Sequence, residues 1–455
     1  MLPKLLRVLW GDLSGDEIKK FSILAATLFC IIGIYWMVRV MKDATFDLLV
    51  GFEWQPFAKI ASLVFVGILI FFYSKLVDIF EKQTLFYLIC SIYVTSFLII
   101  SYLIGKPHLT EVKEASMLWP IFKFIPGNIL GWITYVFIES FGSIVVALFW
   151  AFVASTTTSD SAKRGYGMVV SLTQFGTILG PWVVQQYSET LGIPRLFAIG
   201  GFAIILVPLL IKLYVSVIPS NKVVDSKKKT PTGFFEGIRL LFSHTYLIGI
   251  LAVATLYEII STILEFQMGM IVKVVYPTKL DGGAAFSWFK AWNAMSIGIL
   301  ALVFALFGTS FLMRRFGLKF CLITFPASLG VIVLLLFLCN NIIGVSQYQL
   351  MWLFFVSMFI TKALNYALNN PSKEVMYIPT SRDVKFKTKG WIDAFGTRTS
   401  KGAGAVVTGS LGDAIPTLFL FGTIISLGVV GVWVFMAAFV GNKFVELQKT
   451  KEIIE

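Results

Sequence analysis

The sequence predicts an all-α polytopic membrane protein with twelve transmembrane helices in two six-helix halves. Of the 455 residues, 57% are hydrophobic and only 14% are charged, and the mean hydropathy is +0.83. A soluble domain carries about 25% charged residues. Apolar runs of about 20 residues, the length that crosses a bilayer core, recur along the whole chain. Composition and recurrence together predict repeated crossings of a membrane.

Twelve apolar spans are predicted, and the fifth and eleventh are the least hydrophobic because they are rich in Gly, Ser and Thr. Small residues let membrane helices approach one another closely. We therefore expect these two spans to face protein or a cavity. The predicted spans are residues 21–42, 57–77, 84–104, 129–154, 166–187, 195–218, 245–276, 286–312, 319–340, 348–370, 390–412 and 415–440.

The distribution of basic residues predicts the orientation of the chain. The net charge is +13, with 38 Lys and Arg residues. If the N-terminus is inside, the even-numbered connections and both tails are inside too, and they carry most of these residues. Cytoplasmic loops have an excess of Lys and Arg. We expect both termini to be cytoplasmic.

A polar stretch near the middle of the chain predicts the division into halves. Residues 219–240 read as a cytoplasmic linker between an N-terminal half, 1–218, and a C-terminal half, 241–455. Similar connections follow the second and eighth spans, LVDIFEKQTLF from Leu76 and LMRRFGLKFCL from Leu312. Two parallel six-helix repeats with the cargo site between them are the major-facilitator architecture.

Several charged residues lie inside the apolar spans. A charge at the bilayer centre costs roughly 2.5–3.5 kcal/mol on insertion scales, so it rarely faces lipid. The first span carries Arg39, Lys42 and Asp43 toward its outer end. Arg39 and Asp43 are four residues apart and can form a local ion pair. Arg39 and Lys42 are alternatively candidates for binding phosphate in a cavity.

Three carboxylates lie in the fourth and seventh spans. The chain has no basic residue between Lys123 and Lys163, so Glu139 in the fourth span needs a partner from another helix. Glu258 and Glu265 are seven residues apart and share one face of the seventh span. Each carboxylate is open to two interpretations, a structural interhelical ion pair or a gating and coupling group.

Further charges occupy the tenth and eleventh spans. Lys362 lies within the tenth span, and Asp393, Arg398 and Lys401 lie on the glycine-rich eleventh span. Arg398 and Lys401 share a face and form a candidate phosphate cradle, because Arg binds phosphate as a planar fork and Lys as a point charge. The alternative is that they neutralise the glutamates of other spans.

Motifs for other kinds of function are missing from the sequence. No GxxxxGK[ST] phosphate loop is present. ATP hydrolysis through that loop therefore cannot drive transport, and we expect transport to be secondary. The four cysteines are scattered without metal or CxxC spacing, and no nucleophile–base pair stands out. We expect a transporter rather than an enzyme, with no cofactor, no metal and no nucleic-acid partner.

Three segments are similar to a known family. The segment NNPSKEVMYIPTSRDVKFKTKGWIDAFGTRTSKGAGA (369–405) resembles the nucleotide transporters of obligate intracellular bacteria and plastids, the ATP/ADP translocase or Tlc/NTT family. MKDATFDLLV (41–50) and FIESFGSIVVALFWAFV (137–153) also resemble that family. The resemblance implies ATP/ADP exchange by alternating access across a bacterial inner membrane, on a twelve-helix major-facilitator-like fold. By motif, it implies functional roles for Lys42, Glu139, Glu265 and Lys401.

Combined with the buried charges, the resemblance leads to a hypothesis for the site of a monomeric carrier in the lipid bilayer. Basic residues bind the phosphate chain, carboxylates replace the phosphate when the site is empty, and aromatic rings stack on the base. The phosphate-binding candidates are Lys42, Arg398, Lys401 and Arg39. The gating candidates are Glu139, Glu265, Glu258 and Asp393, and the stacking candidates are Tyr35, Tyr135, Trp391 and Phe395.

Two alternative functions remain open at this point. One is proton-coupled symport of nucleotides or of another phosphate-bearing organic anion, in which one of the buried glutamates titrates. The other is exchange of NAD for ADP. The family often has a basic residue soon after its seventh-helix glutamate, whereas here none follows Glu265 until Lys273. The number of phosphates recognised, and whether inorganic phosphate is a counter-substrate, therefore stay open.

Overall fold

The structure is a computed structural model that describes residues 14–111, 124–218, 234–307, 310–412 and 414–454. These residues are almost entirely helical. The α-helices are α1 Gly15–Leu49, α2 Gln55–Ile79, α3 Lys82–Ile104, α4 Ile129–Thr156, α5 Ser159–Ala203, α6 Leu206–Val217, α7 Phe234–Ser243, α8 Thr245–Val275, α9 Thr278–Asp281, α10 Ala284–Phe307, α11 Ser310–Leu338, α12 Gln347–Leu364, α13 Asn370–Met376, α14 Arg382–Trp391, α15 Thr397–Ser410 and α16 Ile415–Thr450. Short 3₁₀ turns lie at Phe52–Trp54 and Pro107–Thr110, and π-helical turns lie at Cys339–Ile343, Asn365–Asn369 and Ile392–Gly396.

Ten helical stretches among the described residues are long and apolar enough to cross a membrane, which confirms the polytopic α-helical fold. One of them, Gly165–Val217, has 53 residues and covers both the fifth and sixth predicted spans. It bends at Gly192, whose φ of 73° is unfavourable for other residues. The predicted eleventh span corresponds to α14, a π-helical turn and α15, and is not among the ten. The count of twelve stays a prediction.

Helix α1 is longer at both ends than the predicted span. It begins with a capping box, in which the Ser14 hydroxyl accepts from the Glu17 backbone N–H at 3.2 Å and the Glu17 carboxylate accepts from the Ser14 backbone N–H at 3.1 Å. It continues to Leu49 because its last turns are buried against protein. Lys42 and Asp47 therefore lie within the helix, where hydropathy alone predicted its end.

The described residues form two compact units. The first unit comprises those within 1–225 and 276–306, and the second comprises those within 226–275 and 307–455. The predicted linker, 219–240, falls largely on residues 219–233, which lie outside the described residues. Residues 276–306 belong to the first unit, although they follow α8 in the chain. The division of the sequence into halves at 218 and 241 stays a prediction.

In the first unit, α1 and α5 meet through glycines. A Cβ atom on Gly180 would lie 2.1 Å from the carbonyl oxygen of Gly33, and one on Gly176 would lie 2.7 Å from that of Phe29. Neither position has room for a side chain, so the two backbones can approach closely only with glycine there. On its outward surface, the same unit exposes large apolar side chains such as Phe71, 58% exposed, as expected for a surface in contact with lipid.

The second unit has the corresponding helix contact. A Cβ atom on Gly404 of α15 would lie 2.9 Å from the carbonyl oxygen of Ile259 and 2.8 Å from the Cβ of Thr262, both on α8. Helix α15 belongs to the eleventh predicted span and α8 to the seventh. In each unit, the small-residue fifth span of a predicted repeat thus packs on the first span of that repeat, which places the charges of the first span against protein.

Candidate functional site

Lys42 and Glu139 form an ion pair inside the first unit. The Lys42 ammonium on α1 donates a hydrogen bond to Glu139 Oε1 on α4, and it lies 3.9 Å from the centroid of the Tyr135 ring. The Tyr135 hydroxyl accepts a hydrogen bond from Gln55 at 3.1 Å. The Lys42 side chain is only 6% exposed, whereas that of Glu139 is 27% exposed. The carboxylate is therefore the accessible side of an otherwise enclosed pair.

Two further acidic residues, Asp43 and Asp47, make buried contacts near the C-terminal end of α1. Asp43 forms an ion pair with Lys290 of α10 at 3.0 Å, and both side chains are largely buried. Asp47 accepts hydrogen bonds from the Phe52 backbone N–H at 2.8 Å and from the Thr278 hydroxyl at 2.6 Å. These contacts hold residues 276–306 against α1. Because buried charges need partners, they explain why the segment is part of the first unit.

Arg39 lies among aromatic rings of its own helix. Its guanidinium donates a hydrogen bond to the Tyr35 hydroxyl at 2.8 Å and lies 4.9 Å from the centroid of the Trp36 ring, a cation–π distance. The Tyr35 ring also packs on α4, where a Cβ on Gly142 would lie 2.3 Å from it. Tyr35 and the fully buried Tyr135 thus pack against protein groups, and their role as base contacts stays a prediction.

In the second unit, Lys362 of α12 contacts one face of α8. Its ammonium lies 3.6 Å from the Glu265 carboxylate and donates to the Ser261 hydroxyl at 3.4 Å. The Tyr257 ring centroid is 5.3 Å away. Ser261 in turn donates to Glu265 at 3.3 Å. From the sequence, Lys362 is a charge within a predicted span with no predicted role.

A second group of charges lies nearby in the same unit. Lys401 of α15 lies 3.6 Å from the Glu258 carboxylate, with side-chain exposures of 48% and 19%. Lys373 of α13 is close enough to interact electrostatically with Glu258, Asp393 and Lys401. Arg398, one turn before Lys401, makes no hydrogen bond or ion pair with any described residue.

Two of the predicted stacking residues lie together just before α15. The Trp391 and Phe395 rings are 6.0 Å apart with an interplanar angle of 32°, and Phe395 is 45% exposed. The π-helical turn Ile392–Gly396 carries Phe395, and such turns are frequent at functional sites. Of the four predicted aromatic residues, Phe395 has the most accessible ring.

The structure pairs each of the three glutamates with a lysine from a different helix. The sequence predicted a partner from another helix for Glu139, and it offered Lys401 as a cation that could neutralise one of the glutamates, which it does at Glu258. Lys290 and Lys373 were not predicted, because each lies near the end of an apolar run, where a basic residue is ordinary. Within the described residues, no group of three or more His, Cys, Asp or Glu could hold a metal ion.

This arrangement suits the binding of an anion with several oxygens. An ammonium group has three donors and a guanidinium five, and hydrogen bonds from them to phosphate are among the stronger ones in proteins. In each pair the lysine is held by a carboxylate, which is itself an anion. A phosphate oxygen can therefore replace a carboxylate oxygen without leaving the cation unpaired.

Comparison with known proteins identifies relatives along nearly the full chain. Residues 2–444 match the family described as TLC ATP/ADP transporter. ADP,ATP carrier protein 1 of Rickettsia typhi is 26% identical over 447 residues, which cover 89% of this chain and 88% of the relative. ADP,ATP carrier protein 3 of Rickettsia bellii is 24% identical over 503 aligned positions, covering 98% of each.

Solved transporters share the fold at low sequence identity. The nucleoside transporter NupG aligns with a TM-score of 0.59 and 13% identity, covering 93% of this chain and 99% of that one. The peptide transporter POT in complex with sulfate aligns with a TM-score of 0.62 and 14% identity, covering 93% and 95%. These likenesses confirm the major-facilitator-like fold and show nothing further about substrate. By the match over residues 2–444, the chain belongs to the TLC ATP/ADP transporter family.

Proposed function

We propose that this protein exchanges ATP for ADP across a membrane by alternating access. The observation that carries the proposal is the Lys42–Glu139 pair, an enclosed cation whose carboxylate partner comes from another helix and is partly accessible. A phosphate oxygen takes the place of the Glu139 carboxylate on Lys42. When the nucleotide leaves, the carboxylate returns. Family membership and the names of the Rickettsia relatives support adenine nucleotides as the substrates.

The same replacement accounts for exchange rather than one-way transport. Ion pairs join lysines and glutamates of neighbouring helices, α1 to α4 in one unit and α8 to α12 and α15 in the other. Those ion pairs tie helices together, and a helix that must move has to break them. A bound phosphate chain releases the carboxylates and so permits the movement. The empty carrier stays locked, which enforces counter-exchange.

Within the second unit, Lys401, Arg398 and Lys373 provide a second set of donors for phosphate. Lys401 is half-exposed and only loosely paired with Glu258 at 3.6 Å. The exposed Phe395 ring lies one turn before Arg398, and it stacks on the base. Asp393, whose side chain is exposed, and Glu258 hold these cations when no nucleotide is present.

The proposal extends to location and assembly. The protein lies in a bacterial inner membrane with both termini in the cytoplasm and works as a monomer. The excess of basic residues in the even-numbered connections supports this orientation. The bacterial source of the similar carriers supports the proposed location in a bacterial inner membrane.

The experiment that tests the function is uptake of labelled ATP into proteoliposomes that contain the purified full-length protein. Separate batches are preloaded with ATP, ADP, inorganic phosphate, NAD or buffer alone. We expect rapid uptake with internal ATP or ADP and almost none with buffer. Fast uptake into buffer-loaded vesicles under an imposed pH gradient would instead establish proton-coupled symport. A requirement for internal NAD would establish NAD/ADP exchange, and no uptake in any batch would refute nucleotide transport.

A further inference from the structure

The residues around Lys362 form a binding site for its ammonium group. Tyr257, Ser261 and Glu265 are spaced four residues apart on α8, so all three lie on one face of that helix. They contribute an aromatic ring at 5.3 Å, a hydroxyl at 3.4 Å and a carboxylate at 3.6 Å from the lysine nitrogen. A single face of α8 thus holds a cation supplied by α12.

The sequence repeat relates this binding site for Lys362 to the Lys42–Glu139 pair. Glu265 follows Lys42 by 223 residues, and Lys362 follows Glu139 by the same 223 residues. The equivalent positions carry opposite charges. In the first unit, the first span of the repeat supplies the lysine and the fourth supplies the glutamate. In the second unit, the first span of the repeat supplies the glutamate and the fourth supplies the lysine.

The aromatic residue beside the lysine follows the same inversion. Tyr135 lies on α4 together with Glu139, and its ring contacts the Lys42 ammonium. Tyr257 lies on α8 together with Glu265, and its ring contacts the Lys362 ammonium. In both units a tyrosine and a glutamate on one helix therefore receive a lysine from another helix. Lys362 in the second unit therefore has the same kinds of contact partner as Lys42 in the first unit.

The second pair is also the more open of the two. Lys42 is 6% exposed, whereas Lys362 is 21% and Glu265 is 32% exposed. The polar contacts of Lys362, at 3.4 and 3.6 Å, are longer than ordinary hydrogen bonds of about 2.7–3.2 Å. An ammonium with three donors that is held this loosely can donate a shorter hydrogen bond to an anionic oxygen.

We propose that Lys362 contacts the substrate and binds a phosphate oxygen of a nucleoside di- or triphosphate, replacing its contact with Glu265. The Ser261 hydroxyl, which already donates to Glu265 at 3.3 Å, then retains the displaced carboxylate. The substrate class rests on the function proposed above. Lys362 is thereby the counterpart, in the second unit, of the phosphate contact made by Lys42.

The test compares five forms of the full-length protein in proteoliposomes: wild type, Lys362→Gln, Lys362→Arg, Glu265→Gln and the double variant Lys362→Gln/Glu265→Gln. The KM for external ATP is measured with saturating internal ADP. We expect Lys362→Gln to raise KM at least tenfold and Lys362→Arg to recover most of the loss, because it keeps the positive charge. Lys443→Gln, which alters an exposed pair with Glu446 on α16, serves as the control and should behave as wild type.

The double variant separates a substrate contact from a structural ion pair. The comparison is made with Glu265→Gln alone, because Glu265 belongs to the proposed exchange machinery and its loss alters transport by itself. If the pair is only structural, removing Lys362 from the Glu265→Gln protein changes KM no further. If Lys362 binds phosphate, the double variant has a KM at least tenfold above that of Glu265→Gln, although both are as well folded as wild type by size-exclusion chromatography. A wild-type KM in Lys362→Gln, or equal KM values in the double variant and Glu265→Gln, would overturn the proposal. Failure of wild type itself to transport nucleotides would instead refute the proposed function.

Discussion

Lys42 of α1 donates a hydrogen bond to Glu139 of α4 from a position where only 6% of its side chain is exposed. Apolar helices surround both residues. A lone charge there is unfavourable, so each residue fixes the position of the other. In the proposed mechanism a phosphate that binds Lys42 releases Glu139, so one anion controls the contact between the two helices.

Substitution of Lys42 tests this contact. We expect Lys42→Gln to abolish detectable exchange and to destabilise the protein, since removing one partner of a buried pair costs about 3–5 kcal/mol. The double variant Lys42→Gln/Glu139→Gln removes both charges and should regain most of the thermal stability without regaining transport. Melting in detergent and ATP uptake in vesicles, measured on the same preparations, check both parts. Recovery of transport in the double variant would show that the pair is only structural.

Substitution of Lys401 should reduce transport without reducing the stability of the fold. It is 48% exposed, and an exposed ion pair contributes only about 0–1 kcal/mol to stability. A hydrogen bond to a charged group contributes about 1.5–3 kcal/mol, which corresponds to a loss of about 10–150-fold in uptake when it is removed. We therefore expect Lys401→Gln to reduce ATP uptake by this amount with an unchanged melting temperature. Near-normal uptake in Lys401→Gln would remove Lys401 from the phosphate site.

The Asp43–Lys290 ion pair should stabilise the first unit. Lys290→Gln leaves the largely buried Asp43 carboxylate without its lysine, and we expect a loss of about 3–5 kcal/mol. Because this pair joins α10 to α1, limited proteolysis should become faster within residues 276–306. Lys279→Gln, at an exposed position in the same segment, is the matched control. Equal melting temperatures for the two variants would mean that the pair does not hold the segment.

The glycine contact between α1 and α5 should tolerate no side chain. A Cβ on Gly180 would lie 2.1 Å from the Gly33 carbonyl oxygen, so Gly180→Ala forces the helices apart at a cost of about 1–3 kcal/mol. Gly67→Ala on α2 adds a methyl group with no heavy atom within 4 Å and should leave the melting temperature nearly unchanged. A similar shift for both variants would argue against a close helix contact at Gly180.

Much of the fold followed from hydropathy, because apolar runs long enough to cross a membrane have few alternatives. The end of α1 did not follow. Hydropathy falls at Lys42 and Asp43, whereas the helix continues to Leu49 because its charges are buried against protein. The small residues of the fifth and eleventh spans predicted close contacts, and Gly180 and Gly404 make them. The helices that they contact are fixed by tertiary packing, which hydropathy does not describe.

The charged site was predictable in its members but not in its pairs. Glu139 was conspicuous because an isolated carboxylate in an apolar span needs a partner, yet the candidates lay on several helices. The pairing of Lys290 with Asp43 could not be predicted, since the two residues are distant in sequence. One signal was present and unused: the 223-residue interval that relates Lys42 to Glu265 also relates Glu139 to Lys362.

Competition for labelled ATP uptake is the most direct test of phosphate recognition by these lysines. Unlabelled ATP, ADP, AMP and adenosine are each added outside ADP-loaded proteoliposomes of the wild-type protein. The proposed binding of phosphate oxygens by the cations predicts that ATP and ADP compete strongly, AMP weakly and adenosine not at all. Equal competition by adenosine and ATP would contradict the mechanism, because the base and sugar would then account for binding and the lysines would have no phosphate to hold.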